Sequence, residues 1–220
     1  AGIVRQAQNV ELVGQLGGIT EAVAAHGNYA YIGAGPRLVI LNVADPAHPA
    51  VVGQTSVLSG TVAGVEVVGD YAYVVAGDLY IINIAMPSSP EEVGYCGTPG
   101  SALDVAVSGT YAYVADYYSG LRIVDVSDPA HPTEVGSCNA PGSASGVAVS
   151  GNYAYVADGI AGLRIINVSD PAHPSQVSIH DTPGWALGVA VYGNYAYVAD
   201  GSAGLSIINI SDPAHPRQTG

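Results

Sequence analysis

Hydrophobic and polar residues alternate in four short runs between residues 145 and 180, and turn-forming residues separate these runs. The pattern predicts four β-strands, at 145–150, 153–158, 163–168 and 175–179. In the second run, Tyr153 and Tyr155 fall on one face of the strand and Ala154 and Val156 on the other. Short turns join successive runs, so we expect an antiparallel meander. No segment has a helical period.

The same pattern recurs along the chain. Tyr-Ala-Tyr begins at residues 29, 71, 111, 153 and 195, in steps of 42, 40, 42 and 42 residues. A period near 40 that contains four short strands is typical of a β-propeller, in which each repeat is one blade. The sequence predicts a single all-β domain over residues 1–220, a five-bladed β-propeller of four-stranded antiparallel blades. The predicted blades span residues 19–55, 61–97, 102–139, 144–181 and 186–216.

The fifth repeat ends just as it enters its fourth strand. The N-terminal segment 10–15 resembles that missing strand, so we expect it to complete the last blade and to close the ring. Residues 216–220 compete for the same position. Exchange of the N-terminal strand between molecules is the alternative, and it would give a homo-oligomer in place of the expected monomer.

Three segments of the repeat resemble a known family. They are the Tyr-Ala-Tyr-Val-Ala-Asp strand, the Gly-Leu-Arg-Ile-Ile-Asn-Val strand and the Ser-Asp-Pro-Ala-His-Pro turn. Together they resemble the LVIVD-repeat family of bacterial β-propellers over essentially the whole chain. The resemblance implies the propeller fold and an extracellular or cell-surface location, but it implies no common activity.

Composition excludes several classes of partner. The chain has 18 acidic residues against 5 basic ones, all of them arginine, and its formal net charge is −13. Such a surface repels phosphate backbones and anionic lipid, so we expect neither nucleic-acid binding nor membrane association. No run of about 18 apolar residues is long enough to span a bilayer, so membrane insertion is not expected.

Metal and cofactor sites are not expected either. Cys96, Cys138 and His180 occupy the same position in successive repeats. Equivalent points on adjacent blades should lie well over about 10 Å apart, whereas zinc holds its ligands at about 2 Å. No motif indicates a bound calcium.

Candidate ligand-binding residues cluster on the propeller face that carries the loops after strands two and four. Asp116, Asp158 and Asp200 end the second strand in three blades. They form either a partial ring of carboxylates for a cation or for sugar hydroxyls, or acceptors for backbone N–H groups in their own turns.

Residues that depart from the repeat on this face are the other candidates. Asp104 replaces a small residue at the start of an inner strand, and Trp185, the only tryptophan, replaces the serine of other blades. Tyr117 and Tyr118 replace small turn residues. Aromatic rings with nearby carboxylates suit a carbohydrate ring, and loop packing is the alternative role. The predicted ligand-binding set is therefore Asp104, Asp116, Tyr117, Asp158, Trp185 and Asp200.

No catalytic motif is present, so the chain is expected to be a non-catalytic binding or scaffold domain whose ligand is a glycan, a cation or a protein. One alternative is a structural or self-assembling subunit. Another is a polysaccharide hydrolase that pairs Asp104 with Asp116 or Asp158. The repeated histidines are interpreted as turn residues: His48, His131, His173 and His215.

Overall fold

The computed structural model describes residues 20–220, which form β-strands joined by turns and one 3₁₀ turn at Gly201–Ala203. The strands are β1 Val23–His26, β2 Tyr29–Gly33, β3 Leu38–Asn42, β4 Ala50–Gln54, β5 Gly64–Val68, β6 Tyr71–Val75, β7 Leu79–Asn83, β8 Glu91–Cys96, β9 Asp104–Ser108, β10 Tyr111–Ala115, β11 Leu121–Asp125, β12 Thr133–Cys138, β13 Gly146–Ser150, β14 Tyr153–Ala157, β15 Leu163–Asn167, β16 Ser175–His180, β17 Gly188–Tyr192, β18 Tyr195–Ala199, β19 Leu205–Asn209 and β20 Arg217–Gln218.

The strands form five antiparallel sheets of four, each in chain order, and we number these blades one to five. In blade four, Ser150 pairs with Tyr153, which leaves Gly151 and Asn152 as a two-residue hairpin loop. Gly151 has a φ of +58°, as the first position of a type II′ turn requires. The predicted meander is confirmed, and each strand bound lies within one residue of its prediction.

Neighbouring blades pack through two different faces. The tyrosine face carries the second tyrosine of Tyr-Ala-Tyr and the leucine that starts the third strand. The alanine face carries the intervening alanine and the residue after the second tyrosine. Between blades four and five, Tyr155 and Leu163 of one tyrosine face share a buried cluster with Ala196 and Val198 of the next alanine face. The bulky side chains therefore fill the space that the small ones leave.

The innermost strands β1, β5, β9, β13 and β17 contact one another in succession and line the central channel. At the rim, the outer strand of one blade meets the proline-rich turn of the next. A Cβ on Gly94 would overlap the carbonyl oxygen of Pro129, so this position in blade two requires glycine. Blade four has Ser178 at the equivalent position, where its hydroxyl donates to the carbonyl oxygen of Pro213 at 2.6 Å.

The fourth strand of blade five comes from the C-terminal segment. In β20, Arg217 pairs with Asn209 and Gln218 with Ile208, and the amide of Thr219 donates to the carbonyl of Ile207 at 2.7 Å. Residues 216–220 thus occupy the position that was expected for the N-terminal strand. The closing role predicted for residues 10–15 lies outside the described residues, and the described residues do not show ring closure. Each of the first four predicted blade ranges contains one sheet, whereas β20 lies beyond residue 216.

Candidate functional site

One end of the propeller is built from turns that pair with the connection into the next blade. We call this end the loop face. It contains the turns between second and third strands and the connections between blades. Gly77 bridges to Ala102 and Tyr117 to Ala144. The third such bridge joins Gly159 to Ala186. These paired backbones place residues from two blades side by side at three of the four boundaries between blades.

Asp116 and Asp200 hold the loop face together from inside. Thr98 donates its hydroxyl to Asp116 Oδ1 at 2.7 Å, and the amide of Gly100 donates to Oδ2 at 2.8 Å. Asp200 repeats the arrangement with the Thr182 hydroxyl at 2.6 Å and the Gly184 amide at 3.0 Å. Each carboxylate therefore ties its turn to the connection that enters the same blade.

Asp158 has a different partner. Arg164 donates to Asp158 Oδ2 from Nε at 3.1 Å and from Nη2 at 2.8 Å. Asp158 Oδ1 is buried and lacks a hydrogen-bond partner among the described residues. The reason lies in the sequence, because Ala140 stands where Thr98 and Thr182 stand in the neighbouring blades.

The predicted ring of ligand carboxylates lies in the interior of the protein. Asp116, Asp158 and Asp200 are 0% exposed, so no ligand reaches them in this structure. Burial raises the pKa of Asp116, although hydrogen bonds from Thr98 and Gly100 oppose the rise. The alternative given above, acceptance of backbone N–H groups in their own turns, fits none of the three fully. Asp116 and Asp200 accept from the connection that enters their blade, and Asp158 accepts from the Arg164 side chain.

Asp104 also serves the backbone. Its Oδ1 accepts from the amide of Val105 and its Oδ2 from the amide of Val147 in the next blade, both at 2.9 Å. Burial raises the pKa of Asp104. The carboxylate therefore joins the inner strands of blades three and four.

Glu66 does the same one blade earlier and was missed in the sequence. Its Oε2 accepts from the amide of Val107 at 2.6 Å. Burial is the main cause of its raised pKa, and the charge of Asp104 raises it further. The signal was available, because Glu66 stands where Ala106, Ala148 and Ala190 stand in the following blades.

The central channel contains a cavity of about 310 Å³. Besides Glu66, its lining is the Val-Ala-Val segments of three inner strands, at 105–107, 147–149 and 189–191. The channel wall is thus mostly apolar, with one carboxylate at its edge.

Tyr117 has an unusual backbone. Its φ of +49° makes it the only non-glycine residue in the described range with a positive φ. Gly77, Gly159 and Gly201 occupy the equivalent position with φ values of +85°, +56° and +53°. The left-handed conformation costs a residue with a Cβ about 1–2 kcal/mol, so blade three retains a strained tyrosine where the fold favours glycine.

The tyrosine pair at this turn faces solvent. The ring centroids of Tyr117 and Tyr118 lie 3.9 Å apart with the planes tilted by 48°, and their hydroxyl oxygens are 3.0 Å apart. Tyr118 is 70% exposed. Hydrogen bonding to Tyr117 raises the pKa of Tyr118, and Ser143 beside it opposes the rise.

Trp185 lies at the next boundary and is 47% exposed. A Cβ on Gly159 would lie 3.0 Å from Trp185 Nε1 and 3.3 Å from the Cβ of Ser143. Neighbouring residues therefore extend across the loop face of blade four, in the order Tyr118, Ser143, Gly159 and Trp185. We call the aromatic side chains of these two boundaries, together with the exposed Ile160, the aromatic patch: Tyr117, Tyr118, Ile160 and Trp185.

The opposite end carries four repeated pairs of a histidine and an aspartate. In the turn of blade three, Nδ1 of His131 lies 2.9 Å from Oδ2 of Asp128, and this carboxylate also accepts from the amide of Ala130 at 3.1 Å. The same pair occurs in three other blades: Asp45 with His48, Asp170 with His173, and Asp212 with His215. The histidines are turn residues, as their repetition indicated.

Within residues 20–220, no group of three metal-ligating side chains is close enough to bind one ion, and Cys96 and Cys138 are free thiols. This part of the chain also contains no helix that could cross a bilayer.

Solved structures with a similar fold belong to otherwise different proteins. A functionally unknown protein from Desulfotomaculum acetoxidans DSM 771 has a TM-score of 0.77 and 16% identity, over 93% of this chain and 70% of that one. The periplasmic gluconolactonase PpgL of Pseudomonas aeruginosa has a TM-score of 0.75 and 16% identity, over 88% of this chain and 67% of that one. The β-propeller domain of Cps50 (Swd1) from Myceliophteria thermophila has a TM-score of 0.75 and 10% identity, over 94% of this chain and 72% of that one.

At these identities the similarity establishes the fold alone, and that fold is a β-propeller. The LVIVD repeat matches five consecutive segments, at residues 17–57, 59–98, 99–140, 141–182 and 183–220. The chain therefore belongs to the LVIVD repeat family, as the strand and turn motifs indicated. No curated protein matches the sequence significantly.

Proposed function

We propose that this propeller is a non-catalytic binding module that recognises a glycan through the aromatic patch. The observation that carries the proposal is Tyr117, a tyrosine in a left-handed conformation where equivalent turns have glycine. Strain of this kind persists when the surrounding structure imposes it, and it concentrates at functional sites. The Tyr117 ring is positioned at the surface at a cost to the fold.

The chemistry of the patch suits a sugar ring. Exposed aromatic faces bury the apolar C–H face of a pyranose, and the tyrosine hydroxyls supply polar contacts at the edge. Trp185 and Tyr118 are connected through Ser143 and Gly159, so an extended ligand can contact both. An extracellular or cell-surface setting is part of the proposal and rests on the resemblance to bacterial surface repeat proteins.

The hydrolase alternative is less favoured by the geometry. Asp116 and Asp158 are fully buried, and Asp104 accepts two backbone N–H groups. A general acid and its partner must reach the scissile bond, and these carboxylates are engaged within the protein.

Trp185 gives a direct test because it is the only tryptophan in the chain. Tryptophan emission, excited selectively over that of the 15 tyrosines, therefore reports on the patch alone. We expect soluble cello-, chito- or xylo-oligosaccharides to shift the emission and to raise the Tm, because a ligand that binds only the folded state stabilises it.

Trp185→Ser restores the residue that other blades carry and should abolish the rise in Tm. The matched control is Tyr192→Ser, which removes another exposed aromatic side chain, from the end of an inner strand outside the patch. Loss of the Tm response in both variants, or in neither, would contradict recognition by the patch. A Tm response to peptides instead of glycans would move the proposal to a protein ligand.

A further inference from the structure

The array of five blades ends in a tyrosine face that nothing in the described chain covers. Leu205 starts the third strand of blade five and is 58% exposed. The leucines at the same position in the other blades are all 0% exposed: Leu38, Leu79, Leu121 and Leu163. Tyr197 and Ile207 of the same face are only half-buried, whereas Tyr155 and Ile165 are buried in blade four.

The other end of the array has an uncovered alanine face. Val23 of blade one is 69% exposed, while the equivalent Val105 and Val147 are buried. Ile32 is partly exposed, although its counterparts Val74 and Val114 have no exposed surface.

These two faces are the two halves of an interface that the protein already forms four times. Each internal boundary joins a tyrosine face to an alanine face in one buried cluster. The rim has the same complementarity. Gly220 is equivalent to Gly94, but a Cβ on Gly220 would meet only Ile207 of its own sheet. No proline turn faces it among the described residues.

We propose that the tyrosine face of blade five and the alanine face of blade one are docking surfaces for a further four-stranded blade of the same repeat type. The partner presents alanine and valine to Leu205 and places the proline of its turn against Gly220. Toward blade one it presents tyrosine and leucine. This inference concerns the ends of the array and does not depend on the function of the loop face.

The solved structures with a similar fold are longer than this chain. The chain aligns over 93%, 88% and 94% of its own length, but over only 70%, 67% and 72% of those proteins. About a third of each of those chains therefore has no counterpart in the five blades.

The test adds one blade in register. A second copy of residues 179–220 placed after Gly220 continues the 42-residue period, because Ser178 and Gly220 are equivalent. Hydroxyl-radical footprinting then measures the exposure of individual side chains. In the extended chain, oxidation of Leu205 should fall to the level of Leu163. In the unextended chain it should be many times faster than at Leu163.

Two substitutions separate docking from general stabilisation. Leu205→Glu should leave the Tm of the unextended chain unchanged, because the side chain is exposed there, and should lower the Tm of the extended chain. Met86→Glu is the matched control, since Met86 is 63% exposed in a turn of blade two and its substitution should have no effect on the Tm of either chain.

The remaining outcomes also decide the proposal. Equal effects of Leu205→Glu in both chains would overturn it. A monomeric unextended chain that already protects Leu205 and Val23 would overturn it too, because both faces would then be covered within one molecule. Concentration-dependent association that protects Leu205 and is lost in Leu205→Glu would support it, with a second copy supplying the blade.

Discussion

Replacement of Ala140 by threonine should stabilise this propeller. Asp158 Oδ1 is buried without a hydrogen-bond partner among the described residues. In the neighbouring blades, Thr98 and Thr182 donate to the equivalent oxygens at 2.7 Å and 2.6 Å. Ala140 is only 7% exposed and precedes its aspartate by 18 residues, as both threonines do. A threonine hydroxyl at residue 140 should therefore reach Oδ1.

The size of the effect follows from the missing bond. An intramolecular hydrogen bond to a charged group contributes about 1.5–3 kcal/mol, and the tighter packing around a larger side chain offsets part of that gain. We expect a net gain of about 1 kcal/mol, which corresponds to a rise in Tm of about 2–4 °C for a domain of this size.

The assay is differential scanning calorimetry of Ala140→Thr beside Ala140→Val. Valine has the same shape as threonine but lacks the hydroxyl, so the difference between the two variants isolates the hydrogen bond. Thr98→Ala and Thr182→Ala should lower the Tm, because each leaves a buried carboxylate oxygen without its partner. If Ala140→Thr is no more stable than Ala140→Val, then Asp158 Oδ1 does not lack a hydrogen bond and the reasoning is wrong.

Three further predictions test other parts of the structure. Tyr117→Gly should leave the Tm unchanged or raise stability by up to about 1 kcal/mol, because the left-handed strain disappears. The same substitution should weaken glycan binding. A loss of Tm as large as that caused by removing a buried tyrosine side chain would contradict this. Gly94→Ala should cost about 1–3 kcal/mol in urea denaturation, because its Cβ overlaps the Pro129 carbonyl. Gly94→Ser should cost less, because its hydroxyl can donate to that carbonyl as Ser178 donates to its own proline partner. Burial raises the pKa of Asp104, so the ionised carboxylate destabilises the folded state at pH values above that pKa. As the pH falls from the folded-state pKa towards the unfolded value of about 3.9, wild type should gain stability relative to Asp104→Asn. A stability difference that does not change with pH would refute the assignment.

The sequence predicted the fold well because every repeat carries the same information. Five copies of one strand pattern agree on strand bounds, turn positions and facing side chains, and the meander around Tyr153 needed almost no revision. The fourth strand of blade five was harder to assign. Residues 10–15 and 216–220 have similar patterns, and alternation alone cannot choose between two segments that fit one sheet edge.

The candidate site was predicted in part. Departures from the repeat identified Trp185 and Tyr117, which the structure places at neighbouring boundaries of the loop face. For Asp116 and its equivalents the sequence left two roles open, ligand binding and acceptance of backbone N–H groups. Their burial depends on how the neighbouring connection packs over the turn, and the strand pattern does not reveal that packing. The spacing of 18 residues between Thr98 and Asp116 was a usable signal, since Thr182 and Asp200 repeat it. Glu66 was not predicted because it lies within an inner strand, whereas ligand sites were expected in the loops.

The pairing of Trp185 with Gly159 bears on how a chain of near-identical repeats assembles in the correct order. Similar blades can dock on the wrong neighbour while folding, and misassembly of this kind is a known failure of repeat proteins. In the structure, a Cβ built on Gly159 would lie 3.0 Å from Trp185 Nε1, so glycine leaves room for the tryptophan ring. If blade five docked on blade three instead, Trp185 would face Tyr117 at the position equivalent to Gly159. The Trp185 side chain would then have to move, which disfavours that order. One large side chain opposite one glycine therefore distinguishes neighbours that the rest of the sequence makes almost interchangeable.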